Sequence, residues 1–310
     1  CAATLACAAP DEADPVAAAE QVAFVSDHDG NYDLFLVDLE TDSVVNLTAH
    51  PGMDYGFTWS PDGSAIAFSS DRDGNREIYR LDLLGGEVTR VTDSETRDVA
   101  PAWSPDGSRI AFVSQRDSER GEIYVMGADG GAPTRITRND RYEEVPSWSP
   151  DGGSLAFGAL APAAEGADPT LQIFRIDLET GEEDQLTFLA GHNSAPRWSP
   201  DGSLIAFYGQ VGEGFDGADI MTIAPDGSGL ANLTNDPEPD WQPDWSADGA
   251  RIVFARGPGD PLDVWTMRAD GSDRRPLVVR DGRDELGGGG GRQPRDPMSG
   301  VWGKRGDLGG

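Results

Sequence analysis

A serine and an aspartate two residues apart follow a tryptophan five times in this chain, as WSPDG at Trp59–Gly63, Trp103–Gly107, Trp148–Gly152 and Trp198–Gly202 and as WSADG at Trp245–Gly249. A hydroxyl beside a carboxylate is part of the equipment for acyl transfer, but a nucleophilic serine needs a base within hydrogen-bond reach. No histidine recurs near any copy. The three histidines, His28, His50 and His192, form no His-x-x-x-His pair and no Cys/His cluster, and they read as solvated loop residues. As a turn the motif is complete: proline presets φ, aspartate accepts local backbone bonds, and glycine takes the left-handed conformation. It is read as scaffold, and its regularity serves as a ruler.

Five residues before each tryptophan stand Asp54, Asp98, Glu143, Asn193 and Asp240. A second series, Asp33, Glu77, Glu122, Gln172, Asp219 and Asp263, precedes a later apolar run of each repeat. Two roles are open for these acids. They form a cation-attracting funnel for a basic peptide or a metal ion, or they are scaffold acids that accept backbone N–H bonds. Tyr55, Phe57, Tyr142, Phe188 and Trp241 lie near the first series, with Tyr142 and Trp241 as candidate interface anchors. The segments SDHDGN and SDRDGN place Asp27, Asp29 and Asn31, and Asp71, Asp73 and Asn75, at a spacing that can wrap Ca²⁺. Neither ends in the bidentate glutamate of an EF-hand loop, and hairpin turn chemistry explains Asp-Gly-Asn without an ion.

The elements that position these residues are strands. Short runs rich in Val, Ile, Phe, Tyr and Thr, such as AIAFSS at 65–70, EIYRLDL at 77–83 and EVTRVT at 87–92, alternate with Gly/Asp/Asn/Ser turns. Each repeat therefore reads as four antiparallel strands, a to d, with the tryptophan on strand a. The tryptophans are 44, 45, 50 and 47 residues apart. Four-stranded sheets at that period predict an all-β, six-bladed β-propeller over residues 20–281. The first set, from QVAFVS, has no Trp-bearing strand a. SGVWG at 299–303, in the Gly-rich segment 282–310, is the candidate strand that closes it. In this order the d-to-a and b-to-c loops share one face and the SPDG turns occupy the other. The segment GALAPAAEGADPTLQ, a b-to-c loop, is the most individual insertion.

With 24 Lys+Arg against 55 Asp+Glu, the net charge is −31, which repels phosphate backbones and anionic lipid and argues against a nucleic-acid partner. Both cysteines fall in the first seven residues, so neither braces the repeats. Residues 1–19 read as a lipoprotein-like tether, with lipid on Cys1, or on Cys7 as the variant, and membrane association only through that anchor.

WSPDGSAIAFSSDRDGNREIYRLDL followed by GEVTRVT resembles the Pro-Asp-Gly propeller repeat of the TolB family. The resemblance covers about residues 20–281 and excludes the family's α/β domain, for which the sequence ahead of the first strand is too short. It implies a six-bladed propeller in the bacterial envelope, outside the cytoplasm, that binds a protein or peptide partner. The expected function is non-catalytic binding, with no cofactor required and calcium as the one candidate ion. The alternative is a metal-dependent lyase or hydrolase with its site in the channel. Kinship with the propellers that gate prolyl peptidases is a third reading, although their hydrolase domain has no counterpart in this sequence.

Overall fold

The middle strands form because their side chains alternate between two buried faces. In Ala65–Ser70 every residue is buried, and Phe68 on that run stands opposite Tyr79 on the next, their ring centroids 5.9 Å apart. The same cross-strand pair recurs as Phe112 with Tyr124 and as Phe157 with Phe174, each at 6.0 Å. Such pairs set register, because a slip of one residue would turn the ring to the wrong face.

The computed structural model describes residues 21–26, 30–38, 43–162, 168–210, 217–235, 237–257, 263–278 and 301–303. Blade one contains β1 (Gln21–Ser26), β2 (Asp33–Asp38) and β3 (Ser43–Asn46). Blade two follows with β4 (Asp54–Trp59), β5 (Ala65–Ser70), β6 (Glu77–Asp82) and β7 (Val88–Arg90). Blade three is β8 (Asp98–Trp103), β9 (Arg109–Ser114), β10 (Glu122–Gly127) and β11 (Thr134–Arg135). Blade four is β12 (Glu143–Trp148), β13 (Ser154–Leu160), β14 (Leu171–Asp177) and β15 (Glu183–Gln185). Blade five is β16 (Asn193–Trp198), β17 (Ile205–Gln210), β18 (Ala218–Ile223) and β19 (Ala231–Asn232). Blade six is β20 (Asp240–Trp245), β21 (Arg251–Arg256), β22 (Asp263–Arg268) and β23 (Arg275–Val278).

Each sheet is an antiparallel meander, and β24 (Val301–Gly303) completes blade one by pairing with β1 in the register Gln21 to Gly303 and Ala23 to Val301. The innermost strands β4, β8, β12, β16, β20 and β24 touch in succession, and β24 touches β4 in turn, so the ring is closed. The architecture is a six-bladed β-propeller.

Two details differ from the sequence reading. The d strands of blades one to five are shorter than their apolar runs, because the threonine at the end of each leaves the ladder and uses its hydroxyl instead. Thr92 Oγ1 accepts from the Ile78 N–H at 2.8 Å, and Thr187 Oγ1 from Ile173 at 2.8 Å. The a strands of blades two to six each carry a β-bulge at the third residue, where Gly56, Ala100, Val145, Ala195 and Gln242 have φ between 42° and 54°. Only one of the five is glycine. The Ala100 N–H, off the ladder, donates to Ser69 of the preceding blade at 3.0 Å. Prolines 101, 146, 196 and 243 follow the bulged residues, where no ladder bond needs an N–H.

The tryptophans of the repeat are packed between blades. The Trp148 indole N–H donates to the Ala102 carbonyl and that of Trp245 to Arg197, both at 3.0 Å, tying each inner strand to the one before it. In the turn, Ser104 Oγ accepts from the Arg109 N–H at 2.9 Å while donating to Asp106, which also accepts from Ser108 N–H at 3.0 Å. Asp62, Asp106 and Asp201 are held down to about 2 by these bonds. Ser and Asp of the motif hold the turn together.

Candidate functional site

Asp54, Asp98, Glu143, Asn193 and Asp240 open the five inner strands, as their spacing requires, but none is more than 1% exposed. Of the two roles open for them, burial favours the scaffold acid over the exposed funnel. Asp54 meets Arg72 at 3.1 Å, Asp98 meets Arg116 at 2.8 Å and Asp240 meets Arg256 at 3.5 Å. Each arginine comes from the b-to-c side of the same blade, so the charges are neutralised inside the wall. Burial nevertheless pushes Asp54 and Asp98 up, outweighing the hydrogen bonds from Ser70 and Ser114.

Blade four has Ala161 at the position of Arg72 and Arg116, two residues past the end of the corresponding b-strand register. Its acid, Glu143, is held instead by the hydroxyl of Thr137, by Asn139 at 2.6 Å and by the Ile123 N–H at 3.2 Å. Burial dominates these bonds and pushes the carboxyl up to about 7. Folding therefore takes up a proton between the ordinary glutamate value of 4.5 and about 7. The contribution to stability falls as pH rises through that window and is flat above it, a change on the order of 3 kcal/mol. Denaturant unfolding from pH 4.5 to 8 should show this slope reduced in Glu143→Gln relative to wild type. An identical slope in both proteins would refute the assignment.

The second series forms locks between strands c and d. Asp33 accepts from Thr48 at 3.3 Å, Gln172 from Thr187 at 2.9 Å, Asp219 from Thr234 at 3.1 Å, and Glu77 from Thr92. Glu122 instead pairs with Arg135, because Thr137 turns to Glu143. Asp263 is partly exposed at the start of β22. Asn193 and Gln172 do meet, the amide of Asn193 donating to Gln172 Oε1 at 3.3 Å, so this pair adds no charge at the junction of blades four and five. His192 beside them is half-buried rather than solvated: its Nδ1 accepts from the Leu171 N–H at 3.1 Å, and burial holds its pKa below the usual range. His50 Nδ1 accepts from the Gly52 N–H at 2.9 Å.

Of the calcium candidates, Asp27 and Asp29 lie outside the described residues, as do His28, Cys1 and Cys7. Asp71 accepts from the Met53 N–H at 2.7 Å and Asp73 from the Tyr79 hydroxyl at 2.6 Å. Asn75 donates its amide to the carbonyls of Ser94 and Thr96, both at 3.0 Å, and Asn31 to those of His50 and Gly52 at 2.8 and 3.0 Å. These groups tie one loop to the next. Among the described residues no group of three His, Cys, Asp or Glu side chains is placed to share a metal.

The aromatics divide. Phe57 is core, and Trp241 packs edge-on against Tyr208 with centroids 5.2 Å apart, its indole N–H on the Gly257 carbonyl. Trp241 is thus a packing residue more than a presented anchor. Tyr55 is half-buried under Arg76, 4.5 Å from its centroid, and Tyr142 is half-buried. Phe188 stands out of the loop between β15 and β16, 79% exposed. Other loops of the same face carry the exposed acids Asp93, Glu95, Glu119 and Asp140, and also the exposed arginines Arg120 and Arg138.

The opposite, SPDG end of the channel holds a cavity of about 320 Å³ that the sequence reading did not anticipate. The residue before each tryptophan lines it: Thr58, Ala102, Ser147, Arg197 and Asp244. Three small residues and then two opposite charges at one repeat position were a visible signal, since a purely structural position would be expected to repeat.

A family model described as the TolB beta propeller domain matches residues 15–99 and 93–286. No curated protein matches the chain. A solved structure assigned as TolB from Agrobacterium tumefaciens is 25% identical, with a TM-score of 0.67 over 84% of this chain and 88% of that one. TolB from Acinetobacter baumannii is 23% identical, with a TM-score of 0.72 over 92% of this chain and 66% of that one. An oligogalacturonate lyase in complex with manganese is 17% identical, with a TM-score of 0.55 over 83% of this chain and 73% of that one, a likeness of fold alone. Repeats, closed ring and family match agree: the chain belongs to the TolB β-propeller domain family.

Proposed function

We propose that the protein is a non-catalytic, extracytoplasmic propeller that binds a protein or peptide partner through its d-to-a and b-to-c loop face. The observation that carries this is Phe188, a large apolar side chain left 79% exposed on that face. Tyr142, half-buried at the end of the preceding d-to-a loop, adds aromatic surface to this face, where the exposed acids Asp93, Glu95, Glu119 and Asp140 outnumber the exposed arginines Arg120 and Arg138. The favoured partner surface is therefore basic with an apolar centre. The buried acids Asp54, Asp98, Glu143 and Asp240 brace the loops that present this face, and Asn193 does the same without charge. Placement outside the cytoplasm, in the envelope, follows from family kinship, and attachment through Cys1 belongs to the same reading.

Affinity capture from envelope extract tests it. A partner held by the wild-type protein should be recovered at least tenfold less by Phe188→Ala/Tyr142→Ala, as for loss of a hot spot, and undiminished by Leu84→Ser on the opposite face. Equal recovery by all three, or metal-dependent cleavage of an acidic polysaccharide by the purified protein, would overturn the proposal.

A further inference from the structure

The SPDG end of the channel departs from the repeat in a way that packing does not require. Arg197 and Asp244 occupy the same position in β16 and β20, on adjacent blades, and both line the cavity. Among the described residues neither has a counter-ion in contact. The Arg197 guanidinium donates only to the carbonyl of Pro196, at 3.0 Å, and Asp244 accepts only from the Trp245 N–H, at 2.8 Å. This contrasts with Asp54, Asp98 and Asp240, which are all paired with arginine. The two charges sense one another electrostatically without touching. Both side chains are half-buried on the cavity wall, and desolvation there pushes the Asp244 carboxyl up to about 6 and the Arg197 guanidinium down.

The opposite wall leaves room. Thr58, Ala102 and Ser147 are small, and Pro101, Pro146 and Trp198 give the cavity apolar sides. The Trp198 indole N–H is buried without an acceptor. A cavity of about 320 Å³ is at the small end of ligand sites, too small for a folded partner.

A ligand of one sign would gain from one of the two charges and be repelled by the other. A ligand carrying both signs gains from both, and a guanidinium favours a carboxylate through its paired donors. We propose that the SPDG end of the channel binds a small amphoteric ligand of the α-amino-acid type, its carboxylate on Arg197, its ammonium on Asp244 and its side chain against Pro101, Pro146 and Trp198. The site lies at the end of the channel away from the loop face, so it is independent of the partner proposed above.

Thermal unfolding of the wild-type protein with each free L-amino acid, supported by calorimetry, tests this. At tenfold excess over its dissociation constant, a bound member should raise the unfolding midpoint by about 3 °C. For leucine as the apolar probe, 4-methylpentanoate has the carboxylate alone and 3-methylbutylamine the ammonium alone, and each should bind at least tenfold more weakly. Arg197→Met and Asp244→Asn should each abolish the shift, while Tyr142→Ala retains it. The analogue comparison uses wild-type protein, so a variant that fails to fold leaves the test intact. No amino acid shifting the midpoint, or single-charge analogues binding as well as the parent, would overturn the proposal.

Discussion

A chain ending at Pro297 should unfold at a midpoint lower than that of the full-length protein by on the order of 10 °C. The final strand, β24, is three residues long, yet it pairs with β1 and touches both β4 and β20. Without it blade one is a three-stranded sheet whose inner edge is unpaired, and the ring of inner strands is open between blades six and two. A propeller has few edges because it closes, and an opened one exposes both a strand edge and the apolar faces beside it. A peptide spanning 295–306 added in trans should restore part of the loss. An unchanged midpoint would show that the ring holds without this strand.

Phe112→Ala should cost about 4 kcal/mol of folding stability. The ring is fully buried in a cluster that combines Trp103, Ile110, Tyr124 and Met126 of blade three with Ala65, Ala67 and Ile78 of blade two. Its removal therefore leaves a cavity between two blades rather than inside one. The alanines facing it are on strands fixed by ladders on both sides, so the wall has little freedom to collapse. Urea titration should show a lower midpoint with an unchanged slope. A loss of less than about 1 kcal/mol would mean that the blades slide together to fill the space.

The six blades were legible in the chain because every signal for them is local. Alternation places AIAF-type runs on strands, Pro-Asp-Gly closes a turn within four residues, and the tryptophan ruler counts the copies. Closure by 299–303 was also legible, from the one missing strand a. What escaped was whatever depends on a neighbour. The bulges at Ala100, Val145, Ala195 and Gln242 are not marked by glycine, since only Gly56 is one, and the proline after each of the four was the one local trace of them. The shortening of the d strands depends on a threonine hydroxyl meeting a strand c amide 14 residues back.

The candidate site shows the same division. Sequence by itself determined that Asp54, Asp98, Glu143, Asn193 and Asp240 are equivalent, because equivalence is a matter of spacing. Only the tertiary structure decided that they are buried and that three of them are neutralised by Arg72, Arg116 and Arg256. Charge state and exposure arise from desolvation and from partners on other strands, and neither is written in a single run of residues. Likewise the WSPDG motif announced a turn, while the closing of six inner strands around an axis decided that the residue before each tryptophan would face a common cavity, and that Arg197 and Asp244 would share it.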